Sequence, residues 1–134
     1  MRVVAAAVVQ QGRLLIVSKR AAPDVFYLPG GKPDGDEPER TTLARELVEE
    51  LCAAPMDAMP YLVVEAMAAL EQVPMRLSVY RCTLSAAPRR AAEIAKTAWT
   101  TGVDAHVERL APAIRDHVVP RMLADGLLGR GAAT

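Results

Sequence analysis

Apolar residues in this chain fall in short runs separated by turn-forming residues, and the period within each run predicts the element it builds. Val3 to Val9 and Leu14 to Val17 are apolar and partly β-branched, with Gln11-Gly12 between them, so they read as a hairpin-like strand pair. Phe26-Tyr27-Leu28 makes a short strand, and residues 29–36, rich in Pro, Gly and Asp, make a loop. Pro38 at a first helical position, beside Asp36 and Glu37, marks the start of a helix that runs to about Cys52 and stops before Pro55. Leu43, Leu47 and Leu51 give that helix an apolar stripe. Tyr61 to Leu70 and Met75 to Leu84 are two longer strands joined near Pro74, and Lys96 to Thr100 is a further short strand. Val103 to Leu128 is helical in composition; Pro112 starts a segment and Pro120 kinks or breaks it. Apolar runs alternating with helices predict an α/β fold, an α/β/α sandwich whose mixed sheet lies between the first helix and the C-terminal helical segment. The domain spans residues 1–128, with 129–134 as a flexible tail, and no internal repeat or long linker divides it.

Length and composition narrow the class. The 134 residues, 51% of them apolar, suffice for one domain with a sizeable core. Sixteen acidic and sixteen basic residues leave no basic stripe for a nucleic acid polymer and no polybasic anchor for a membrane. Cys52 and Cys82 form no C-x-x-C pair or disulfide framework and read as small buried fillers in a reducing compartment. The apolar N-terminus is interrupted by Gln10, Gln11 and Arg13, too soon for a signal peptide or membrane span, so a cytoplasmic location is expected. His106 and His117 have no partner at ligand spacing and read as surface or structural residues, and Met56, Met59 and Met67 read as packing.

The chemistry sits on the first helix. Glu46, Glu49 and Glu50 stand at i, i+3 and i+4, which gathers three carboxylates on one helical face. Like charges at that spacing repel, and the hard oxygen donors suit Mg²⁺ or Mn²⁺ as the compensating cation. Arg45 reaches Glu49 at i+4. A bare E-x-x-E-E also occurs as a solvated acidic face, so the wider spacing decides. From Gly31, five residues lead to Glu37 and seven more to Arg45-Glu46-Leu47-Val48-Glu49-Glu50. With each required residue type near 7% in frequency, six such matches arise by chance on the order of once in ten million starts.

This spacing resembles the Nudix box, G-x5-E-x7-R-E-U-x-E-E-x-G-U, where U is a bulky aliphatic residue. The resemblance, to small MutT-like members, is carried mainly by Pro29 to Cys52, with Tyr27-Leu28 before it and Glu93-Ile94 after it. It implies a Nudix-type sandwich and a metal-dependent hydrolase that cleaves a phosphoanhydride bond in a (d)NTP or a nucleoside diphosphate-linked substrate. It further implies that Glu46, Glu49 and Glu50 ligate Mg²⁺ (or Mn²⁺), that the Gly31 carbonyl completes the shell, and that Arg45 and Glu37 orient helix and loop. Glu93 resembles the loop glutamate that in some members adds a ligand or acts as base; it and Glu46 are alternatives for that base. Lys19 and Arg20 follow the second strand and are candidates for the substrate phosphates, with a solvated strand end as the other reading. Phe26 and Tyr27 are candidates to stack on a base, against a core role for at least one of them. Where the box asks for glycine after the two glutamates the chain is read as having Leu51, so the helix is expected to continue through Leu51 and Cys52 toward Ala54, with Leu51 buried.

A non-catalytic Nudix-fold module that binds a nucleotide or a protein is the alternative; such modules usually lose the acid set that this chain keeps. An isoprenoid diphosphate isomerase of the same fold finds no cysteine and histidine pattern here. Members of this fold often form homodimers through paired strands. The chain has no asparagine, and only Gln10, Gln11 and Gln72 offer an amide. A strict guanine selectivity is therefore not expected, and metal and phosphate contacts should supply most of the binding.

Overall fold

Strand β1 (Arg2–Gln10) turns at Gln11 and Gly12 into β2 (Arg13–Lys19), the hairpin the hydrophobic pattern predicts. Both turn residues have positive φ, 52° and 72°, the twist that suits a two-residue hairpin. The computed structural model describes residues 1–68 and 71–129. β3 (Ala22–Tyr27) begins earlier than the Phe26 start expected and leaves Leu28 outside the strand. Within the predicted loop, Gly30 and Gly31 form a two-residue strand, β4 (Gly30–Gly31), paired antiparallel to β1 through Val4↔Gly31 and Ala5↔Gly30. Helix α1 (Glu39–Leu51) follows.

The expected continuation of α1 to Ala54 does not occur. Cys52 turns left-handed at φ 56°, and its N–H closes the helix on the Val48 carbonyl at 3.1 Å. Counted through the box pattern, Leu51 occupies the unconstrained position and Cys52 the glycine position. The helix thus ends where a glycine would end it, with a cysteine taking the left-handed conformation. Leu51 is helical and fully buried, as expected, whereas Cys52 is exposed rather than a core filler; Cys82 is buried.

β5 (Pro55–Met67) starts six residues before the predicted Tyr61, and the predicted end at Leu70 lies outside the described residues. Pro55 and Pro60 read as strand breakers, but β5 lies at the edge of the sheet, where missing N–H groups are tolerated. Its register slips between Met56 and Met59 and again between Pro60 and Leu62, with Asp57 at φ 54°. Met56, Met59 and Met67, expected to pack inside, are exposed on this edge strand. β6 (Pro74–Leu84) and β7 (Ile94–Thr100) complete the sheet. The order is β3-β2-β1-β6-β5, with β4 on β1 and β7 on β2. β1 pairs parallel to β6 and antiparallel to β2 and β4, so the sheet is mixed.

Alternation along the central strands builds two cores. Val4, Ala6, Val8, Leu15 and Val17 pack with Leu43, Leu47 and Leu51 of α1. Ala5, Ala7, Leu14 and Ile16 face the other way, onto Ile114, Val118, Val119 and Met122. The predicted sandwich results, with one helical layer on each face. The C-terminal layer is less regular than predicted. Gly102 to Asp104 is irregular, and Ala105–Arg109 is a 3₁₀ turn started by Asp104, whose side chain accepts from the His106 N–H. Helix starts at Pro112 as expected, widens to a π-turn over Ile114–Val118, and continues as α2 (Val119–Ala124). Pro120 does not break the helix: four helical residues follow it, and the widened turn before it takes up the geometry its missing N–H disturbs. Gly129 is tied to the Gly12 carbonyl at 2.9 Å, and the rest of the predicted tail lies outside the described residues.

Cys52→Gly removes the left-handed strain of a side-chain-bearing residue, about 1 kcal/mol. The expected outcome in chemical denaturation is a gain of that size with an unchanged m-value; equal or lower stability would show that the cap is relaxed as it stands.

Candidate active site

The site is assembled around β4, held between β1 and α1. A Cβ on Gly30 would lie 2.1 Å from the Val4 carbonyl oxygen, and one on Gly31 would lie 2.3 Å from the carboxyl carbon of Glu46. Gly30 admits no side chain against the backbone of β1, and one at Gly31 would have to displace the Glu46 carboxylate, so the two glycines let the backbone of β4 approach both the sheet and the acids of α1. The Gly30 N–H donates to Glu50 Oε1 at 3.0 Å.

The three glutamates of the helix face differ in environment. Glu50 is 2% exposed, and burial pushes its carboxyl up to about 7; Glu46 and Glu93 add to the rise, while the Gly30 hydrogen bond and Lys19 oppose it. Glu46 is also raised, by burial first and by Glu49, against Arg45 and Lys19. Glu49 is exposed, its Oε1 3.7 Å from Arg45. Among the described residues no three acidic, histidine or cysteine side chains converge as a preformed metal cage, because Glu49 points outward. Glu46 and Glu50 lean toward β4.

Arg45 braces this arrangement. Its Nε and Nη2 donate to the two oxygens of Glu37 at 3.0 and 2.8 Å, its Nη1 to Glu46 at 2.9 Å, and Nη2 also to the Lys32 carbonyl at 3.1 Å. Glu37 in turn accepts from the Thr42 hydroxyl at 2.8 Å and the Asp34 N–H at 3.1 Å. Arg45, then Thr42, holds the Glu37 carboxyl down to about 2, so the brace stays charged at neutral pH. One anchor escaped the sequence reading. Glu39 accepts from Tyr80 at 2.7 Å and Ser78 at 2.9 Å, fixing the start of α1 to β6. Its signal was absent from sequence because its partners lie about forty residues away.

Glu93 reaches the site from the loop before β7. The Ala91 and Arg89 N–H groups donate to the Glu50 and Leu51 carbonyls at 2.9 and 2.8 Å, which holds that loop on the end of α1. The Arg20 N–H donates to the Glu93 carbonyl at 2.8 Å, and Lys19 Nζ lies 3.8 Å from Glu93 Oε1. Lys19 therefore joins the site. The Arg20 side chain is exposed.

A cavity of about 110 Å³ opens beside β4, lined by Lys19, Tyr27, Gly31, Met67, Met75 and Ile114 among others. Tyr27 faces this cavity, while Phe26 is buried and meets His106 edge-on at 6.1 Å between ring centres. His106 is thus a packing residue, and His117 is exposed.

Comparison with known proteins agrees with the geometry. The NUDIX domain family profile matches residues 1–122. No curated protein sequence matches the chain. A MutT NUDIX hydrolase from Burkholderia pseudomallei superposes at TM-score 0.69 with 27% identity, over 92% of this chain and 95% of that one. The MutT protein from Methanosarcina mazei Go1 superposes at 0.72 with 22% identity, over 93% and 94%. A bifunctional NMN adenylyltransferase/ADP ribose pyrophosphatase from Francisella tularensis, in complex with AMP and a manganese ion, superposes at 0.67 with 18% identity, over 92% of this chain and 41% of that one. With the family profile spanning all but the last turn and tail of the chain, and the box residues meeting around β4, this protein belongs to the Nudix hydrolase family.

Proposed function

We propose that this hydrolase cleaves a phosphoanhydride bond in a (deoxy)nucleoside triphosphate or a nucleoside diphosphate-linked substrate, with Mg²⁺ or Mn²⁺ held by Glu46, Glu49, Glu50 and the Gly31 carbonyl. The observation that carries it is the seating of Glu46 against Gly31, in space that any side chain at 31 would fill. The donors are hard oxygens, and the mutual repulsion of Glu46, Glu50 and Glu93 is what a divalent cation relieves. The manganese in the Francisella relative fits the same reading. Glu49 has to swing from Arg45 toward Glu46 to complete the set.

A bound divalent cation supplies charge neutralisation on the phosphoryl oxygens and makes water a better nucleophile. The protein's own residues do the rest. Arg45 keeps Glu46 oriented, and Lys19 is placed to meet a phosphate oxygen. Glu93 is the better placed of the two candidate bases, because among the described residues its exposed carboxylate has Lys19 as its ion-pair partner, whereas Glu46 is occupied by Arg45. A metal-binding set kept complete favours catalysis over a purely binding role. A cytoplasmic setting fits two free thiols, and among the described residues no helix is long and apolar enough to cross a membrane.

Three outcomes test this. Glu50→Gln keeps the shape and the Gly30 contact but removes a charged ligand, so Mg²⁺-dependent turnover should fall by about 10² or more with the fold intact; undiminished turnover would remove this helix as the metal site. A second outcome concerns pH. Glu50 has a folded pKa of about 7, above the ordinary 4.5, so its contribution to stability is present below pH 4.5 and is lost as pH rises through 7. In chelator-treated protein, the wild type should therefore lose about 3 kcal/mol relative to Glu50→Gln across that window. Mg²⁺ at pH 7.5 should restore stability to the wild type alone, and parallel pH profiles for the two proteins would refute the account. Finally, kcat/KM across the dNTPs, oxidised dGTP and ADP-ribose should show a broad preference with little discrimination; a preference above about 10³ for one guanine nucleotide, the size that hydrogen-bonded readout gives, would overturn this expectation.

A further inference from the structure

Among the described residues, two buried side-chain polar atoms have no hydrogen-bond partner: Ser18 Oγ and Tyr27 Oη. They differ in where they sit. Ser18 is fully buried in β2 and is not part of the cavity wall, whereas Tyr27 lines the cavity that opens beside Gly30 and Gly31. A buried hydroxyl without a partner is costly, and it is retained most readily where a ligand supplies the partner. The lining is largely apolar, with Met67, Met75, Leu77 and Ile114, while Lys19, Lys32 and Glu71 are its charged side chains, Lys32 Nζ lying 3.5 Å from Glu71 Oε2. A largely apolar pocket with a few placed polar groups suits a flat heteroaromatic ring better than a sugar rich in hydroxyls. Methionine side chains adapt to rings of different outline and make favourable contacts with them.

We propose that the Tyr27 hydroxyl is a specificity-determining group that donates a hydrogen bond to an acceptor on the nucleobase, while the diphosphate of the same substrate lies toward Lys19, Gly31 and the helix acids. This rests on the nucleotide reading above and deepens it. Burial, and then the charge of Glu71, raise the phenol's pKa, so it stays protonated and acts as donor. Every common base carries a ring nitrogen or carbonyl acceptor. The Tyr27 hydroxyl therefore distinguishes a nucleotide from a phosphate chain without a base, whichever base it carries.

Tyr27→Phe keeps the ring and removes only the hydroxyl. The measurements are kcat and KM for a dNTP panel, the Ki of inorganic tripolyphosphate as a baseless competitor, and the Tm of the nucleotide-free proteins. The expected result is a loss of about tenfold in kcat/KM for nucleotides, carried by KM, with kcat and the tripolyphosphate Ki unchanged. The Tm of the variant should equal or exceed that of the wild type, because an unpaired buried hydroxyl has been removed. Unchanged nucleotide kinetics would overturn the assignment, as would an equal loss of tripolyphosphate affinity or a lowered Tm, which would mark a structural role. A wild type that cleaves no nucleotide at all would overturn the proposed function and this assignment with it, an outcome distinct from an active wild type indifferent to Tyr27→Phe.

Discussion

The constraint on which the structure turns is the close approach of two glycine residues to both neighbours at once. Gly30 lies against the Val4 carbonyl of β1, and Gly31 lies under the carboxylate of Glu46. This contact joins the sheet to the acidic face of α1 with no side chain in between. The leucine stripe of α1 holds the helix down on the sheet from one side. The Gly30 N–H and the Arg45 network hold the acids down on β4 from the other. Glu50 is carried into a buried position by that packing, and its hydrogen bond to Gly30 only partly offsets the desolvation.

Charge is therefore stored unequally along one helix. Glu37 is fully satisfied and strongly acidic, so it serves as scaffold. Glu46 and Glu50 are raised, and thus are the groups whose ionised forms gain most from a positive partner. Two residues of one chemical type differ because Glu37 faces a bidentate guanidinium and a hydroxyl, whereas Glu50 faces a single amide in an apolar setting.

The parts of this arrangement legible in sequence are those written in local spacing. The helix that carries the i, i+3, i+4 acids, its i+4 leucines and the Gln-Gly turn each rest on geometry encoded within a few residues and were found in place, although Glu49 turns outward from the other two acids. What escaped depends on distant partners or on tolerance at an edge. β4 is a strand only because β1 accepts it, and its Gly-Gly sequence looks like loop. Pro55 and Pro60 sit in a strand because β5 is bulged and lies at the sheet edge. The C-terminal helix carries Pro120 just after a wide turn that composition does not announce. At the end of α1, a cysteine holds a conformation that sequence rules reserve for glycine, and that is where the reading of Leu51 slipped by one position. For the site, Lys19 and Tyr27 line the cavity beside β4, while Arg20, one residue beyond, is exposed and is not among the lining residues.

The parallel pairing of β1 with β6 joins Arg2 to Arg76 and Val8 to Cys82, partners seventy-four residues apart. During synthesis β1 emerges first, yet it acquires this neighbour only after more than half of the chain has followed. Until then it has the short hairpin with β2 and the two-residue pairing with β4, and most of its run of Val and Ala is open to competing strands. Pairings at such separation close slowly, because a long loop must be ordered before the contact rewards it. The nascent chain is consequently most vulnerable to aggregation in the interval between making its first strand and its sixth, so the hub of the finished sheet, although begun first, is not completed until β6 has formed.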